Sequence, residues 1–218
     1  YQRVKNFSLG LKSLGFQRGD LMAIIGDNDP HWFWAELAAQ ALGGAITGVF
    51  SSGGPNEVKY FLQLTDAKFV IAEDQEQVDK VLSIKAEMPL VKKVIYWDGK
   101  GLRGYDEPLL ASFEAVSEMG LQYEKEHPGF FEDEIAKGKG SDIAMIIGTS
   151  GTTGYPKGGI FTNDSIFSSS HIFYALNPMG EDDDWVSFIL PGWGAEQGMG
   201  FLGSLNRGVR MNFCESQD

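Results

Sequence analysis

The sequence is poor in the features that would crosslink it, carry it across a membrane or bind it to nucleic acid. Cys214 is the single cysteine among 218 residues, so no disulfide forms within the chain. No apolar run reaches the roughly 18 residues of a membrane-spanning helix, which leaves only peripheral membrane contact open. The 18 Lys and Arg are outnumbered by 30 Asp and Glu, whereas nucleic-acid binding depends on clustered basic residues. With no signal sequence at its start, the chain is predicted to be cytoplasmic and to have no nucleic-acid partner.

Isolated candidates for metal binding or acid–base chemistry are interpreted as structural. His31, His127 and His171 have no second ligand at metal spacing, so we interpret each as a surface or packed imidazole. Four acidic residues at 181–184 could suggest a cation site, but a charge run is more often a solvated loop. The remaining composition, 43% hydrophobic and 22% charged, is typical of a globular protein.

Short apolar runs alternate with amphipathic stretches along the chain. This alternation predicts an α/β fold in which layered, mostly parallel sheets are flanked by helices. Strands are predicted at residues 21–25, 46–50, 69–72, 94–97, 143–147, 185–190 and 209–213. Asp29 followed by Pro30 predicts a helix start, Gly15 predicts a helix end, and Asn163 is predicted to cap a later helix.

The alternation weakens between residues 99 and 141, where glycines and charged residues dominate. We therefore divide the chain into a first α/β lobe at 1–98, a connecting excursion at 99–141 and a second α/β lobe at 142–218. One helix, at 109–119, is predicted within the excursion.

The most informative segment is TSGTTGYPKG, at residues 149–158. Its glycines let backbone N–H groups approach an anion closely, and its hydroxyls add neutral donors. Lys157 adds a compact positive charge on a long stem, which suits the outer phosphates of a nucleotide. The segment therefore predicts a polyphosphate-binding loop, placed between the strand at 143–147 and a helix.

Other glycine-rich templates do not fit this segment. A Walker loop requires Gly-Lys followed by Ser or Thr, but Pro156 precedes Lys157 and Gly158 follows it. A hydrolase elbow requires its second glycine one residue later than Gly151. A mobile surface turn rich in Gly and Thr is the remaining alternative.

The same residues resemble the phosphate-loop signature of the adenylate-forming enzymes, which include acyl-CoA synthetases, luciferases and peptide-synthetase adenylation domains. The resemblance extends through the segments at 19–20, 25–28, 36–38 and 43–45. It implies part of the N-terminal domain of the acetyl-CoA synthetase-like fold. It also implies ATP, Mg²⁺ and CoA as cofactors or co-substrates, and a fatty acid, especially a long-chain one, that is activated as an acyl-adenylate and passed to CoA.

By motif position, the resemblance assigns ATP-phosphate binding to the loop. Thr149 is implied as the magnesium-coordinating hydroxyl, and Lys157 as the group that steadies the pyrophosphate end. The other implied contacts are hydroxyls and glycines, namely Ser150, Gly151, Thr152, Thr153, Gly154 and Gly158. Phosphoryl chemistry relies on positioning and electrostatic stabilisation more than on a protein nucleophile, which agrees with this donor set.

A second resemblance covers residues 187–193 with Glu196 and Gln197. They are similar to the segment that, in long-chain acyl-CoA synthetases, joins a strand to the helix lining the acyl pocket. Trp193 is the acyl-pocket candidate. In this sequence Pro191 lies one residue nearer to that aromatic position than the family pattern has it. The alternative is that Trp193 is a buried core residue, since large aromatic side chains commonly pack inside proteins.

The family's later motifs are expected downstream, so no catalytic residue is assigned within this chain. We interpret the sequence as less than half of a synthetase that does not complete turnover alone. The alternative is a truncated, non-catalytic module that binds nucleotide or forms a homodimer through an exposed apolar edge.

Overall fold

A computed structural model describes residues 1–149 and 156–214. Over these residues, the strands are β1 (Leu21–Ile25), β2 (Ala45–Val49), β3 (Phe69–Ala72), β4 (Lys93–Tyr96), β5 (Leu110–Ser112), β6 (Ile143–Thr149), β7 (Lys157–Thr162), β8 (Asp184–Ser187) and β9 (Arg210–Phe213). The α-helices are α1 (Gln2–Ser13), α2 (Pro30–Ala41), α3 (Pro55–Thr65), α4 (Gln75–Ser83), α5 (Phe113–Glu126), α6 (Phe130–Ala136), α7 (Asn163–Leu176) and α8 (Leu202–Arg207). A 3₁₀ turn, Lys85–Glu87, follows α4, and a π-helical segment, Glu196–Phe201, leads directly into α8.

The main sheet has seven strands in the order β5-β4-β3-β1-β2-β6-β7. Neighbouring strands from β5 to β6 are parallel, and β7 joins antiparallel to β6. β8 and β9 form a separate parallel pair. The predicted α/β class with a mostly parallel, helix-covered sheet is confirmed.

Helices cover both faces of the main sheet, because its central strands are apolar on both sides. One core places Phe7 of α1, Trp32 of α2 and Phe113 of α5 against one face. The other core places Val58 of α3 and Val78 of α4 against the opposite face. The central strands β1 and β3 are almost completely buried between these layers.

Local capping signals explain several helix boundaries. Asp29 accepts a hydrogen bond from the His31 backbone N–H at 2.7 Å and Pro30 occupies the first helical position, as the sequence predicts. Gly15 follows α1 with φ of 88°, which confirms the predicted helix end.

The predicted cap at Asn163 is wrong. Thr162 caps α7, since its hydroxyl accepts from the Ser165 N–H and the Ser165 hydroxyl accepts from the Thr162 N–H. This reciprocal pair satisfies two N–H groups at once, which a single asparagine does not. Asn163 becomes the first helical residue, and its side chain donates to the Lys139 carbonyl at 3.1 Å.

The prediction of one helix at 109–119 is also wrong. Residues around 110–112 are extended and form the edge strand β5, and Ser112 caps α5 by accepting from the Ala115 N–H at 3.1 Å. α5 then continues to Glu126, and α6 follows within the same excursion. The proposed division of the chain at residues 98 and 141 stays a prediction.

Strand ends differ slightly from the sequence-based boundaries. β2 and β4 each begin and end one residue earlier than predicted. β8 ends at Ser187, where its partner strand β9 also ends, instead of continuing to residue 190. Beyond it, the Ile189 carbonyl accepts from the Asn28 side chain. Within the described part of the chain, no helix is both long enough and apolar enough to span a bilayer.

The packing of α5 on α1 depends on two glycines. A Cβ on Gly120 would lie 1.8 Å from the Asn6 carbonyl oxygen, and a Cβ on Gly10 would lie 1.9 Å from the Val116 carbonyl oxygen. The same interface stacks Phe7 on Phe113 with ring centroids 3.8 Å apart. The two helix backbones are therefore in contact.

We expect Gly120→Ala to lower the free energy of unfolding by about 3 kcal/mol, because the added methyl group overlaps a backbone carbonyl and the helices must separate. Urea denaturation followed by circular dichroism measures this change. Gly104→Ala is the matched control, since its Cβ would meet no atom within 4 Å. Equal stability of the two variants would contradict the close helix contact.

Candidate functional site

The predicted phosphate loop connects two antiparallel strands. β6 ends at Thr149, β7 begins at Lys157, and these two residues are register partners. The expectation that the loop leads directly into a helix is wrong, because residues 157–162 pair with β6 and α7 begins only at Asn163. Among the described residues, β7 and not a helix N-terminus follows this loop, so the dipole of α7 is not placed at the loop's end.

Of the predicted phosphate-binding residues, Thr149, Lys157 and Gly158 lie within the described structure. Ser150, Gly151, Thr152, Thr153 and Gly154 lie outside the described residues. The Thr149 hydroxyl donates to the Lys157 carbonyl at 3.1 Å, and both residues are exposed. Among the described residues, no carboxylate forms an ion pair with the Lys157 ammonium, which leaves this charge available to an anion.

Glycines on both strands allow close packing at the base of the loop. A Cβ on Gly148 would lie 2.7 Å from the Phe61 ring, and a Cβ on Gly158 would lie 2.9 Å from the Ile146 side chain. Tyr60 lies on α3, next to Phe61, and its hydroxyl donates to the Pro156 carbonyl at 2.5 Å. Tyr60 thus ties the second end of the loop to α3, a role that no sequence pattern indicates.

A cavity of about 520 Å³ opens beside the loop. It is lined by Phe50, Phe61, Ile147, Gly148, Thr149, Pro156, Trp193 and Gly194. Trp193 remains 49% exposed, so the alternative that it is a core residue is wrong. Its ring makes an edge-to-face contact with Phe50 at a centroid distance of 6.3 Å.

Trp193 ends a tight turn that hydrogen bonds hold at both ends. Its N–H donates to the Leu190 carbonyl at 2.9 Å, and its carbonyl accepts from the Gln197 N–H at 3.0 Å. The Gln197 side chain also donates to the Pro191 carbonyl at 2.9 Å. Gln197, at the start of the π-helical segment, therefore contacts two residues of the turn.

Behind this turn is a fully buried carboxyl group, Glu36. It accepts hydrogen bonds from the side-chain amides of Gln197 and Gln40, each at 3.0 Å. Burial raises the pKa of Glu36 to about 8, because the charged form loses its hydration and no cation of the described residues compensates for that loss. In the sequence, Glu36 belongs to a segment typical of the family but has no predicted role. The signal for a buried role is that it is the lone acid among the apolar residues of α2.

A second buried group joins the end of β1 to the segment after β8. The Asn28 amide donates to the Ser187 hydroxyl at 2.7 Å and to the Ile189 carbonyl at 2.8 Å. The Ser187 hydroxyl donates to Glu196 at 2.5 Å. Burial raises the pKa of Glu196 above its ordinary value.

The isolated polar groups have structural surroundings. His31 Nδ1 lies 2.7 Å from an Asp29 carboxylate oxygen, and the ring packs edge-on against Trp34 and Phe113. His127 and His171 are exposed, as are the acidic residues at 181–184. The interpretation of the histidines as surface or packed imidazoles is confirmed.

The profile of the AMP-binding enzyme family matches residues 1–218, and the chain belongs to this family. Long-chain-fatty-acid–CoA ligase ACSBG1 of Bos taurus is 29% identical over 167 residues, which cover 76% of this chain and 22% of that protein. The chain thus spans about a fifth of the length of this curated relative.

Two solved structures share the fold. An anthranilate CoA ligase, AuaEII, in complex with anthranoyl-AMP superposes with a TM-score of 0.78 at 18% identity, covering 99% of this chain and 39% of that one. ATP-bound MatB from Rhodopseudomonas palustris superposes with a TM-score of 0.73 at 19% identity, covering 100% of this chain and 39% of that one. The expected N-terminal fold of adenylate-forming enzymes is therefore confirmed.

The raised pKa of Glu36 predicts a specific pH dependence of stability. Between its ordinary value of 4.5 and about 8, the folded protein keeps a proton that the unfolded chain has lost. The free energy of unfolding contributed by Glu36 therefore falls as pH rises through this window, by about 1.4 kcal/mol per pH unit.

We expect Glu36→Gln to remove this decline, so that its stability relative to the unsubstituted protein increases from pH 5 to about pH 8. Urea denaturation at a series of pH values measures the difference. Glu114→Gln, at an exposed position on α5, is the control and should follow the unsubstituted protein. A parallel decline in Glu36→Gln would show that Glu36 is already charged when folded.

Proposed function

We propose that this chain is the N-terminal part of an ATP-dependent long-chain acyl-CoA ligase. The observation that supports this most directly is the position of Thr149, which is the last residue of β6 before the loop and also lines the apolar cavity. A polyphosphate at the loop and an acyl chain in the cavity would therefore meet beside Thr149. In the proposed reaction, a fatty-acid carboxylate attacks the α-phosphate of ATP, pyrophosphate leaves, and the thiol of CoA then displaces AMP.

The ATP end of the site would be the loop. Lys157 supplies a positive charge at its second end that no carboxylate of the described residues pairs with. Charge-assisted contacts to phosphate are stronger than neutral ones. Ser150, Thr152 and Thr153 would add hydroxyl donors, with Gly151, Gly154 and Gly158 leaving room for the backbone. This local donor set is needed because the whole chain carries a net charge of −12, which repels ATP.

Thr149 is the proposed magnesium ligand within this chain. Its hydroxyl uses its proton in the hydrogen bond to the Lys157 carbonyl, which leaves its oxygen lone pairs free to face a cation. Magnesium commonly takes few protein ligands and several phosphate oxygens, so one exposed hydroxyl fits. When bound there, the ion would neutralise charge on the phosphates.

The cavity is the proposed acyl site. Its size is within the range of small-molecule sites, and Phe50, Phe61, Ile147 and Trp193 give it an apolar wall. The fatty-acid ligase named among the relatives supports a long-chain substrate. A cytoplasmic location and CoA as the acceptor are parts of the same proposal.

We expect Lys157→Ala to weaken binding of magnesium-ATP to this chain about tenfold, because one charge-assisted phosphate contact is lost. Isothermal titration calorimetry measures the affinity. Lys100→Ala removes an exposed lysine in the loop after β4 and should leave the affinity unchanged. Equal affinities for the two variants would remove Lys157 from the nucleotide site.

The chain alone should not catalyse the first half-reaction, because the adenine- and ribose-binding motifs expected of the family are not among its residues. We expect magnesium-ATP binding without palmitate-dependent exchange of pyrophosphate into ATP. Radiolabelled pyrophosphate exchange tests this directly. Exchange above the level without palmitate would show that these 218 residues already form a complete adenylation site.

A further inference from the structure

Gln197 holds the turn that carries Trp193 from two directions. Its backbone N–H donates to the Trp193 carbonyl at 3.0 Å, and its side-chain amide donates to the Pro191 carbonyl at 2.9 Å. Gln197 itself is 1% exposed, so these bonds are shielded from competing water. Rotation of the Gln197 side chain would break its hydrogen bond to Pro191 and leave only the backbone hydrogen bond to Trp193.

Glu36 is a second hydrogen-bond partner of the Gln197 side chain. One Glu36 oxygen accepts from the same Gln197 amide nitrogen at 3.0 Å, and the other accepts from Gln40. Gln40 also reaches the Ala144 carbonyl of β6 at 3.4 Å. A continuous set of hydrogen bonds, buried at Gln197 and partly buried at Gln40, therefore joins β6, which leads to the loop, to the turn that carries Trp193.

A backbone contact sets how closely the turn approaches the sheet. A Cβ on Gly192 would lie 3.1 Å from the Gly48 Cα, and a Cβ on Gly48 would lie 2.4 Å from the Gly192 Cα. β2 and the turn thus touch through two residues without side chains. Phe50, two residues after Gly48, then meets the Trp193 ring across the cavity.

We propose that Glu36 and Gln197 are positioning residues which, with the Gly48–Gly192 contact, hold Trp193 as a wall of the cavity and set the length of acyl chain it accepts. Trp193 is half exposed, and within the described part of the chain its ring contact is with Phe50 at the cavity and not with a core ring, so its place depends on the backbone of the turn. This inference rests on the proposed acyl-CoA ligase function. The buried hydrogen bonds and the glycine contact are separate supports, which allows each to be tested without the other.

The test compares two variants of this chain with matched controls. Gln197→Ala removes the side-chain amide. Gly192→Ala adds a methyl group that pushes the turn away from β2 without removing any polar group. Gln63→Ala, at an exposed position of α3, and Gly104→Ala, with no neighbour within 4 Å, are the controls. Circular dichroism shows that each variant is folded.

The first measurement is acrylamide quenching of Trp193, taken as the difference between each variant and the same variant carrying Trp193→Phe. The second is the affinity for palmitate and for octanoate. We expect both test variants to increase Trp193 quenching and to weaken palmitate binding about tenfold relative to octanoate, because a small displacement of a positioning group has a large effect. Magnesium-ATP affinity should stay unchanged.

Glu36→Ala and Glu36→Gln separate positioning from mere packing. We expect Glu36→Ala to reproduce Gln197→Ala, and Glu36→Gln to restore normal Trp193 quenching because its carbonyl still accepts from Gln197. If Gln197→Ala does not fold, the Gly192→Ala, Glu36→Ala and Glu36→Gln variants test the positioning role without it. Unchanged Trp193 quenching in Gly192→Ala and Glu36→Ala would overturn the positioning role. Increased Trp193 quenching in these variants, together with no palmitate binding even by the unsubstituted chain, would support the positioning role and refute the acyl site.

Discussion

The parallel pairing of β2 with β6 is the constraint on which the rest of the site depends. Ile46 pairs with Met145 and Thr47 with Ile146, so the two strands end at the same edge of the sheet. Phe50 follows the end of β2, Thr149 ends β6, and both line the cavity. Ligands of parallel α/β sheets bind at this carboxyl edge, and here it brings an aromatic wall and the entrance to a glycine-rich loop together.

The buried acids raise a question of energy, because an ionised carboxylate without a cation is costly inside a protein. Glu36 avoids that cost by keeping its proton, and its two oxygens still accept hydrogen bonds from two amides. A neutral carboxyl therefore orients its neighbours without bringing charge close to the site. Glu196 is similarly buried beside Ser187 and Asn28, although one of its oxygens has no partner among the described residues.

Local signals in the sequence predicted much of the fold and only part of the site. Asp29 and Pro30 determine a helix start by themselves, Asp29 through its side-chain cap and Pro30 through its ring. This boundary can therefore be predicted without knowing the tertiary contacts. Thr162 was missed as a cap because its partner, Ser165, is a less typical residue at that position than Glu or Gln.

The hairpin at the loop was missed for a different reason. Whether residues 157–162 pair with β6 or lead into a helix depends on a strand neighbour, which a local pattern does not reveal. Glu36 and Tyr60 act through partners 161 and 96 residues away in the chain. Such contacts exist only after the elements have packed, so the sequence alone pointed to the loop and to Trp193 but not to what holds them.

Helix α3 has a mechanical consequence for the loop. Tyr60 donates a hydrogen bond to Pro156 at the second end of the loop, while the neighbouring Phe61 packs against Gly148 near the first end. Two adjacent residues of α3 thus contact both ends of the loop. A tilt of α3 would move both ends of the loop together. The distance between these ends would stay the same, while the orientation of the loop toward the cavity would change.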